Sequence, residues 1–268
     1  MPLVIKATGV KENFSEEKLL NSIRRAGISG DLQSQALADV KSKLYENIPT
    51  SEIYRHVTDF LAHSPNPYGK AKYSLKQAIM ELGPTGYPFE DFIAEIFKTK
   101  GYSTKIRSIL AGKCITHEID VIAEKDGKRT MIEAKFHNMP GTKTDVHVVL
   151  YTKARFDDIK ENNNLHQVWL VTNTKITSDA ISYAYCSGMS VVSWDYPAGK
   201  SLRDLIEESN LSPITSLISL SQSQKQQLLK KGIVFSKNII DNQNSLYELH
   251  LPQEKVQSII EEAKFLAA

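Results

Sequence analysis

The sequence predicts an α/β protein in three parts: a mostly helical N-terminal part, a central α/β core built on a mixed sheet, and a small helical C-terminal part. Three observations predict it. Two β-rich runs, residues 116–123 and 130–137, are joined by a charged turn containing Asp126-Gly127, a strong hairpin signal. Around that hairpin the apolar spacing switches between helical and strand periods, which is the pattern of a layered α/β core. Gly and Pro punctuation at Gly83-Pro84 and Ala198-Gly199-Lys200 divides the chain into residues 1–84, 85–197 and 198–268.

A chain of 268 residues is long enough for two or three domains. Its 41% hydrophobic and 24% charged residues are ordinary for a globular protein. The net charge of +2 gives no general basic bias, so any field that attracts nucleic acid must be local. Cys114 and Cys186 lie far apart with no Cys-x-x-Cys spacing, which argues against a structural zinc and against a disulfide scaffold. No apolar run reaches 18 residues, and Met1-Pro2-Leu3-Val4-Ile5-Lys6 leads straight into a strand-like segment. The expectation is a soluble protein of a reducing, cytoplasmic compartment with no membrane partner.

In the first part, residues 3–6 read as a short strand, Gly9 as a turn and residues 11–14 as the returning strand. Ser15 is a good N-cap for a helix carrying Leu19, Leu20, Ile23 and Ala26, with Lys18 at the capping-box position. A second helix covers about residues 32–45. Thr50-Ser51-Glu52 is expected to cap a third helix with Ile53, Val57, Phe60 and Leu61 as its apolar stripe. Pro65-Asn66-Pro67 breaks the chain, and a fourth helix over residues 68–82 ends at Gly83-Pro84.

In the second part, residues 88–97 form an amphipathic helix buried along Phe89, Phe92, Ile93, Ile96 and Phe97. Glu90 stands at the edge of that stripe, where it can reach inward. A strand over 103–110 places Lys105 and Arg107 on one face, and the hairpin follows. After a loop at 138–143 come a helix at 146–159, a buried strand at 166–172, a helix capped by Ser178 and closed by Gly188, and a last strand at 191–194. In the third part, short helices are expected at 201–209, at 221–233 with a Gly232 C-cap, and at 253–266.

The hairpin carries the chemistry. Glu133 and Lys135 are two apart and project from one strand face, while Ile132, Ala134 and Phe136 take the other. Asp120 lies in an otherwise apolar run of Ile119, Val121 and Ile122, and a carboxylate there needs a partner such as a metal. An Asp facing a Glu across a hairpin is a hard-oxygen site for Mg²⁺. A Lys beside it can orient or deprotonate water, or offset charge on a phosphate. His137, Lys143, Lys153 and Arg155 are candidates for contacts to a nucleic-acid backbone, with His117 a further flanking histidine. No Gly-x-Ser-x-Gly, P-loop or His-Glu-x-x-His motif is present, so a bound nucleotide would be an effector rather than a fuel.

Asp120 with Glu133-Ala134-Lys135, preceded by Phe89-Glu90 on a helix, resembles the PD-(D/E)XK nucleases, and within them the Mrr-like restriction endonucleases. The resemblance implies that Asp120, Glu133 and the Ala134 carbonyl bind Mg²⁺ or Mn²⁺. It implies that Lys135 positions the attacking water and that Glu90 completes the metal shell. Over the first 80 residues or so, Val4-Ile5-Lys6, Gly9, Phe14, Glu17-Lys18-Leu19, Ala26-Gly27, Pro49-Thr50-Ser51-Glu52-Ile53 and Ala71-Lys72-Tyr73 resemble the ATP-cone. That resemblance implies phosphate contacts from Lys6 and Lys18 and an adenine neighbour in Thr50. The chain departs from it at Ala7 and Lys72, where the family usually has Arg. The last part resembles a helix-hairpin-helix module at Gly232 alone. The implied function is a Mg²⁺-dependent DNA endonuclease of the type II or IV restriction kind, acting as a homo-oligomer (dimer or tetramer), with ATP or dATP as effector. The alternatives are a nucleotide-responsive regulator that binds DNA without cutting it, and a junction-resolving nuclease.

Overall fold

The structure is a computed structural model that describes residues 2–28, 30–64 and 68–267. The break expected at Pro65-Asn66-Pro67 lies outside the described residues.

The N-terminal unit is a three-stranded sheet carrying helices. Strands β1 (Leu3–Ile5) and β2 (Lys11–Asn13) pair antiparallel, and β3 (Ile48–Pro49) lies parallel to β1. Helices α1 (Glu16–Arg25), α2 (Gly30–Ser42) and α3 (Thr50–Ala62) cover the sheet. Ser15 caps α1 as expected, its side chain accepting from the Lys18 N–H at 3.2 Å. For α3 the sequence expectation fails: Pro49 occupies the cap position, no side chain caps the helix, and Thr50 is its first residue. Proline carries no side-chain acceptor, so the first N–H groups of α3 go without a side-chain cap. The apolar stripe of α3 (Ile53, Val57 and Leu61) joins Val4, Ile23, Val40 and Ile48 in a core whose buried residues lie within 4–61, with Tyr73 packed against it.

The single helix expected over 68–82 is two helices, α4 (Gly69–Tyr73) and α5 (Leu75–Met80), separated at Ser74. Ala71 of α4 and Ile79 and Leu82 around α5 are buried in the core of the following unit, not in that of the strands before them. Gly83 then lies directly against the Phe136 ring, where an added methyl would meet ring carbon at 2.9 Å.

The central unit begins with α6 (Tyr87–Thr99) and strands β4 (Ser103–Ala111), β5 (Thr116–Lys125) and β6 (Lys128–Lys135). The β5–β6 turn is the Asp126-Gly127 pair, with φ of 51° and 73°, which a two-residue hairpin of mirror-image twist requires. Next come β7 (Lys143–Thr144), α7 (Val146–Ile159), β8 (Gln167–Thr172), β9 (Lys175–Ile176), α8 (Ser178–Cys186) and β10 (Ser190–Val192). The five-stranded sheet has the order β10-β8-β6-β5-β4, antiparallel between β4, β5 and β6, and parallel from β6 through β8 to β10. The expected mixed sheet is therefore present. The cap of α8 is Thr177, not Ser178, and it accepts from the Ala180 N–H. Lys143, expected in a loop, forms β7 beside β9.

Alternate residues of β6 serve opposite layers. Ile132 and Ala134 enter the core against α6, and Met131 enters the one against α7 and α8. On β5 this alternation slips at Asp120, for Ile119 and Ile122 join one core while Val121 and Ala123 join the other.

The C-terminal helices are α9 (Leu202–Ser209), α10 (Gln222–Lys230), α11 (Ser236–Asp241), α12 (Asn244–Tyr247) and α13 (Gln253–Ala267), with a 3-10 turn at Ile214–Ser216. Ser201 with Asp204, and Ser221 with Gln224, form capping boxes that fix where α9 and α10 start. These helices share the α6 core: Phe92 stacks on Phe235 at 5.2 Å between ring centres. The turn is tied back to α5 by Thr215 Oγ1 donating to the Ala78 carbonyl at 2.6 Å. Among the described residues no helix is long and apolar enough to cross a membrane. Both cysteines are free and exposed.

Candidate active site

Three strands part at one level of the sheet. β5 and β6 pair from Lys125↔Lys128 up to Val121↔Ile132, and the pairing stops at the next step, where Asp120 meets Glu133. On the other side of β5, Ile106↔Val121 and Ser108↔Ile119 are paired while Arg107 and Asp120 between them are not. Arg107 has φ of 46°, a left-handed backbone that costs about 1 kcal/mol or more for a residue with a side chain. A strained residue in mid-strand thus opens the ladder where the carboxylates stand.

The opening is filled by side chains. Asp120 Oδ2 accepts from the Ala134 N–H at 2.7 Å, which binds β5 to β6 across the gap. Glu90, in the first turn of α6, is buried, and its Oε2 accepts from Arg107 Nη1 at 3.2 Å. Arg107 Nη2 donates to Asp91 Oδ1 at 2.8 Å. Glu133 Oε2 accepts from Arg155 Nη1 at 2.5 Å, and the same guanidinium donates through Nη2 to the Glu118 carbonyl. Lys135 ends β6 and has no ion pair or side-chain hydrogen bond among the described residues.

Burial dominates the electrostatics. It pushes Glu133 up to about 7, with the Asp120 charge adding to the rise and Arg155 and Lys135 only partly offsetting it. Glu90 is likewise pushed up to about 7, first by burial and then by Asp120, against the pull of Arg107. Asp120 is raised by burial. Asp120 thus raises both Glu90 and Glu133 in a poorly hydrated space, and Arg107, Arg155 and Lys135 offset only part of the rise.

Buried carboxylates held above their usual range, with oxygen donors only, fit a hard divalent cation. Among the described residues no group of three or more His, Cys, Asp or Glu side chains is gathered to hold a metal ion. Two carboxylates and a main-chain carbonyl match Mg²⁺, which keeps several waters and binds through one or two carboxylates.

The other residues singled out in the sequence fall in different places. His137 lies past the end of β6 rather than on its face: its N–H donates to Asn173 Oδ1, and its ring sits 3.0 Å from Thr144 Oγ1. The strand cannot continue there, because Asn173 takes both main-chain groups of His137. His117 pairs with Asp158 at 2.9 Å, away from the carboxylates. Lys153 pairs with Asp157 at 2.6 Å, and Lys143 is exposed on β7. In the N-terminal unit Lys6 and Lys18 both pair with Glu12, at 2.6 and 3.2 Å. Lys72 lies over the Phe265 ring, 4.8 Å from its centre. A cavity of about 600 Å³, lined by Phe97, Tyr102, Trp169 and Tyr196, opens beside β10 and includes none of Glu90, Asp120 and Glu133.

Sequence reading missed two residues at the site. Arg107 looks like one more cation on an edge strand, since a left-handed backbone leaves no mark in residue type. Asp91 is hidden on the polar side of α6 until Arg107 is seen to bridge it to Glu90.

A helix leading into three antiparallel strands and two parallel ones, with Asp, Glu and Lys where strands part, defines an α/β protein of the restriction-endonuclease kind. The Mrr-type restriction endonuclease family matches residues 83–198, the ATP cone domain family residues 2–79, and the AF1548-like C-terminal family residues 213–267. An uncharacterised protein of Archaeoglobus fulgidus is 37% identical over 173 residues, covering 64% of this chain and 98% of the relative. The crystal structure of a protein of unknown function, AF1548, superposes with a TM-score of 0.59 at 35% identity, covering 68% of this chain and 98% of that one. A repair endonuclease from Pyrococcus abyssi is a looser likeness, with TM-score 0.32 and 20% identity over 41% of this chain and 46% of that one. The chain belongs to the AF1548-like family, as an ATP cone fused to an Mrr-like restriction endonuclease domain. The C-terminal helices match the domain of that family; Gly232, the basis for a helix-hairpin-helix resemblance, is a left-handed residue just after α10.

Proposed function

We propose that the chain is a divalent-metal-dependent DNA endonuclease that hydrolyses phosphodiester bonds under the control of an adenine nucleotide held by its cone. The observation that carries this reading is the gap between β4, β5 and β6, where Asp120 and Lys135 act on Glu133, Asp120 acts on Glu90, and burial keeps both glutamates raised. Asp120, Glu133 and the Ala134 carbonyl would hold Mg²⁺ or Mn²⁺. Such an ion supplies Lewis acidity and a bound water of lowered pKa.

The chain's own residues supply the rest. Lys135, free of ion pairs among the described residues, offers its ammonium to the attacking water or to a phosphate oxygen. Glu90, held by Arg107 and raised to about 7, can take up or release a proton near neutral pH. Cutting both strands of a duplex with one site per chain calls for a second copy, so a homodimer or tetramer is part of the proposal. ATP or dATP would meet Lys6, Lys18 and Thr50, and it acts as an effector only through unequal affinity for two states of the protein.

Purified protein should nick supercoiled plasmid with Mg²⁺ or Mn²⁺ and not with EDTA. Asp120→Ala and Lys135→Ala should each lower the rate about 100-fold or more. Undiminished nicking by either variant overturns the assignment. Isothermal titration with ATP and dATP tests the cone separately.

A further inference from the structure

Arg155 reaches from α7 across to the end of β5 and into the site. Its side chain is only 10% exposed. One arm of the guanidinium holds the Glu133 carboxylate at 2.5 Å and the other holds the Glu118 carbonyl. Its third donor, Nε, is buried without an acceptor among the described residues. One face of the group lies 5.4 Å from the centre of the Tyr151 ring, and Tyr151 is itself exposed on α7.

These contacts conflict with a filled metal site. A guanidinium on a buried carboxylate is a strong, charge-assisted pair. A dication on that same carboxylate would stand within a few ångströms of the guanidinium, where repulsion in a poorly hydrated space is severe. The unmet Nε also marks the present placement as a costly one, since a buried donor without an acceptor keeps its full desolvation penalty. The exposed Tyr151 ring, which the guanidinium already meets, remains within its reach once the carboxylate is released.

We propose that Arg155 is a positioning residue that stands in for the divalent cation on Glu133 while the site is empty, and gives up that carboxylate by swinging along Tyr151 when the ion binds. The proposal rests on the metal site described above. Arg155 keeps Glu133 aimed inward in the absence of metal, and its release places a mobile guanidinium at the mouth of the site. Arg155 therefore lowers the apparent metal affinity by the fraction of molecules in which it is engaged.

Mn²⁺ binding to the full-length protein, followed by titration calorimetry without DNA in mildly alkaline buffer, reads this directly. Arg155→Met should bind Mn²⁺ about tenfold more tightly than the natural chain, while Glu133→Gln should bind it far more weakly. Equal or weaker binding by Arg155→Met, with the natural chain binding normally, would make the pair a strut and overturn this inference alone. Failure of the natural chain to bind Mn²⁺ would overturn the metal site and this inference together. A second measurement needs no variant. In ¹⁵N-labelled natural protein the Arg155 side-chain N–H groups should be protected from exchange without metal and lose protection on adding Mg²⁺. Protection that persists once Mg²⁺ is bound also overturns the proposal.

Discussion

At the scale of single residues, the same side chain often has two claimants. In the cone, Glu12 holds both lysines that a nucleotide phosphate would need, and it is kept below the usual carboxylate range chiefly by its hydrogen bonds to Lys6 and Lys18. An exposed pair of this kind contributes little, so a triphosphate can outcompete it. Glu12→Gln should therefore tighten ATP binding several-fold in a calorimetric titration, and a weaker affinity would place the phosphates elsewhere. The candidate site was marked in the sequence for a different reason: a carboxylate inside an apolar run, Asp120, has few explanations besides a partner ion. Arg155 reads in the sequence as a cation for backbone phosphate contacts, because nothing in its neighbours tells that it folds back onto Glu133 rather than out to solvent.

At the scale of elements, local chemistry decided most boundaries. The Asp126-Gly127 turn, the Ser15 cap and the helix over 146–159 stand where residue type alone puts them. Where the sequence misled, tertiary contacts won: His137 leaves the strand for Asn173, and the helix over 68–82 divides at Ser74. The β4–β5 loop is held in the same non-local way. Asp158 of α7 accepts from the Cys114 and Ile115 N–H groups and pairs with His117. Gly112 makes room for it, since an added methyl would stand 2.0 Å from the Asp158 carboxylate. These bonds, His117 foremost, depress Asp158 from 3.8 to about 2. A carboxyl depressed in the folded state stabilises above its unfolded value and loses that contribution as pH falls through the folded one. The melting temperature of Asp158→Asn should thus lie below that of the natural protein at neutral pH. The gap should narrow as pH falls from about 4 toward 2, and a gap indifferent to pH would refute the role.

At the scale of the whole molecule, the packing follows a different division from the punctuation. Residues 4–61 close a core of their own, but one continuous core runs from Ala71 to Leu266, with α6 between the sheet and the C-terminal helices. Glu262, fully buried, accepts from the Ile218 and Ser219 N–H groups at 2.6 and 2.9 Å and locks α13 to the turn below it. Phe235→Ala removes a ring stacked on Phe92 and should cost about 3–5 kcal/mol. Because the core is shared, the loss should appear in the denaturant midpoint read by Trp169 and Trp194, both on the sheet side of that core. An unchanged tryptophan transition beside a weakened helix signal would mean that the C-terminal helices unfold alone.

The contact between Gly83 and the Phe136 ring has a mechanical meaning. Phe136 follows Lys135 in the chain and also lies 5.6 Å from the Phe89 ring, the neighbour of Glu90. The backbone leaving α5 bears on that ring with no side chain of its own to act as a cushion. Protein interiors are too dense to absorb such a push, so a tilt of the N-terminal cone carried through α4 and α5 would be delivered, undamped, to the footing shared by the lysine and the buried glutamate.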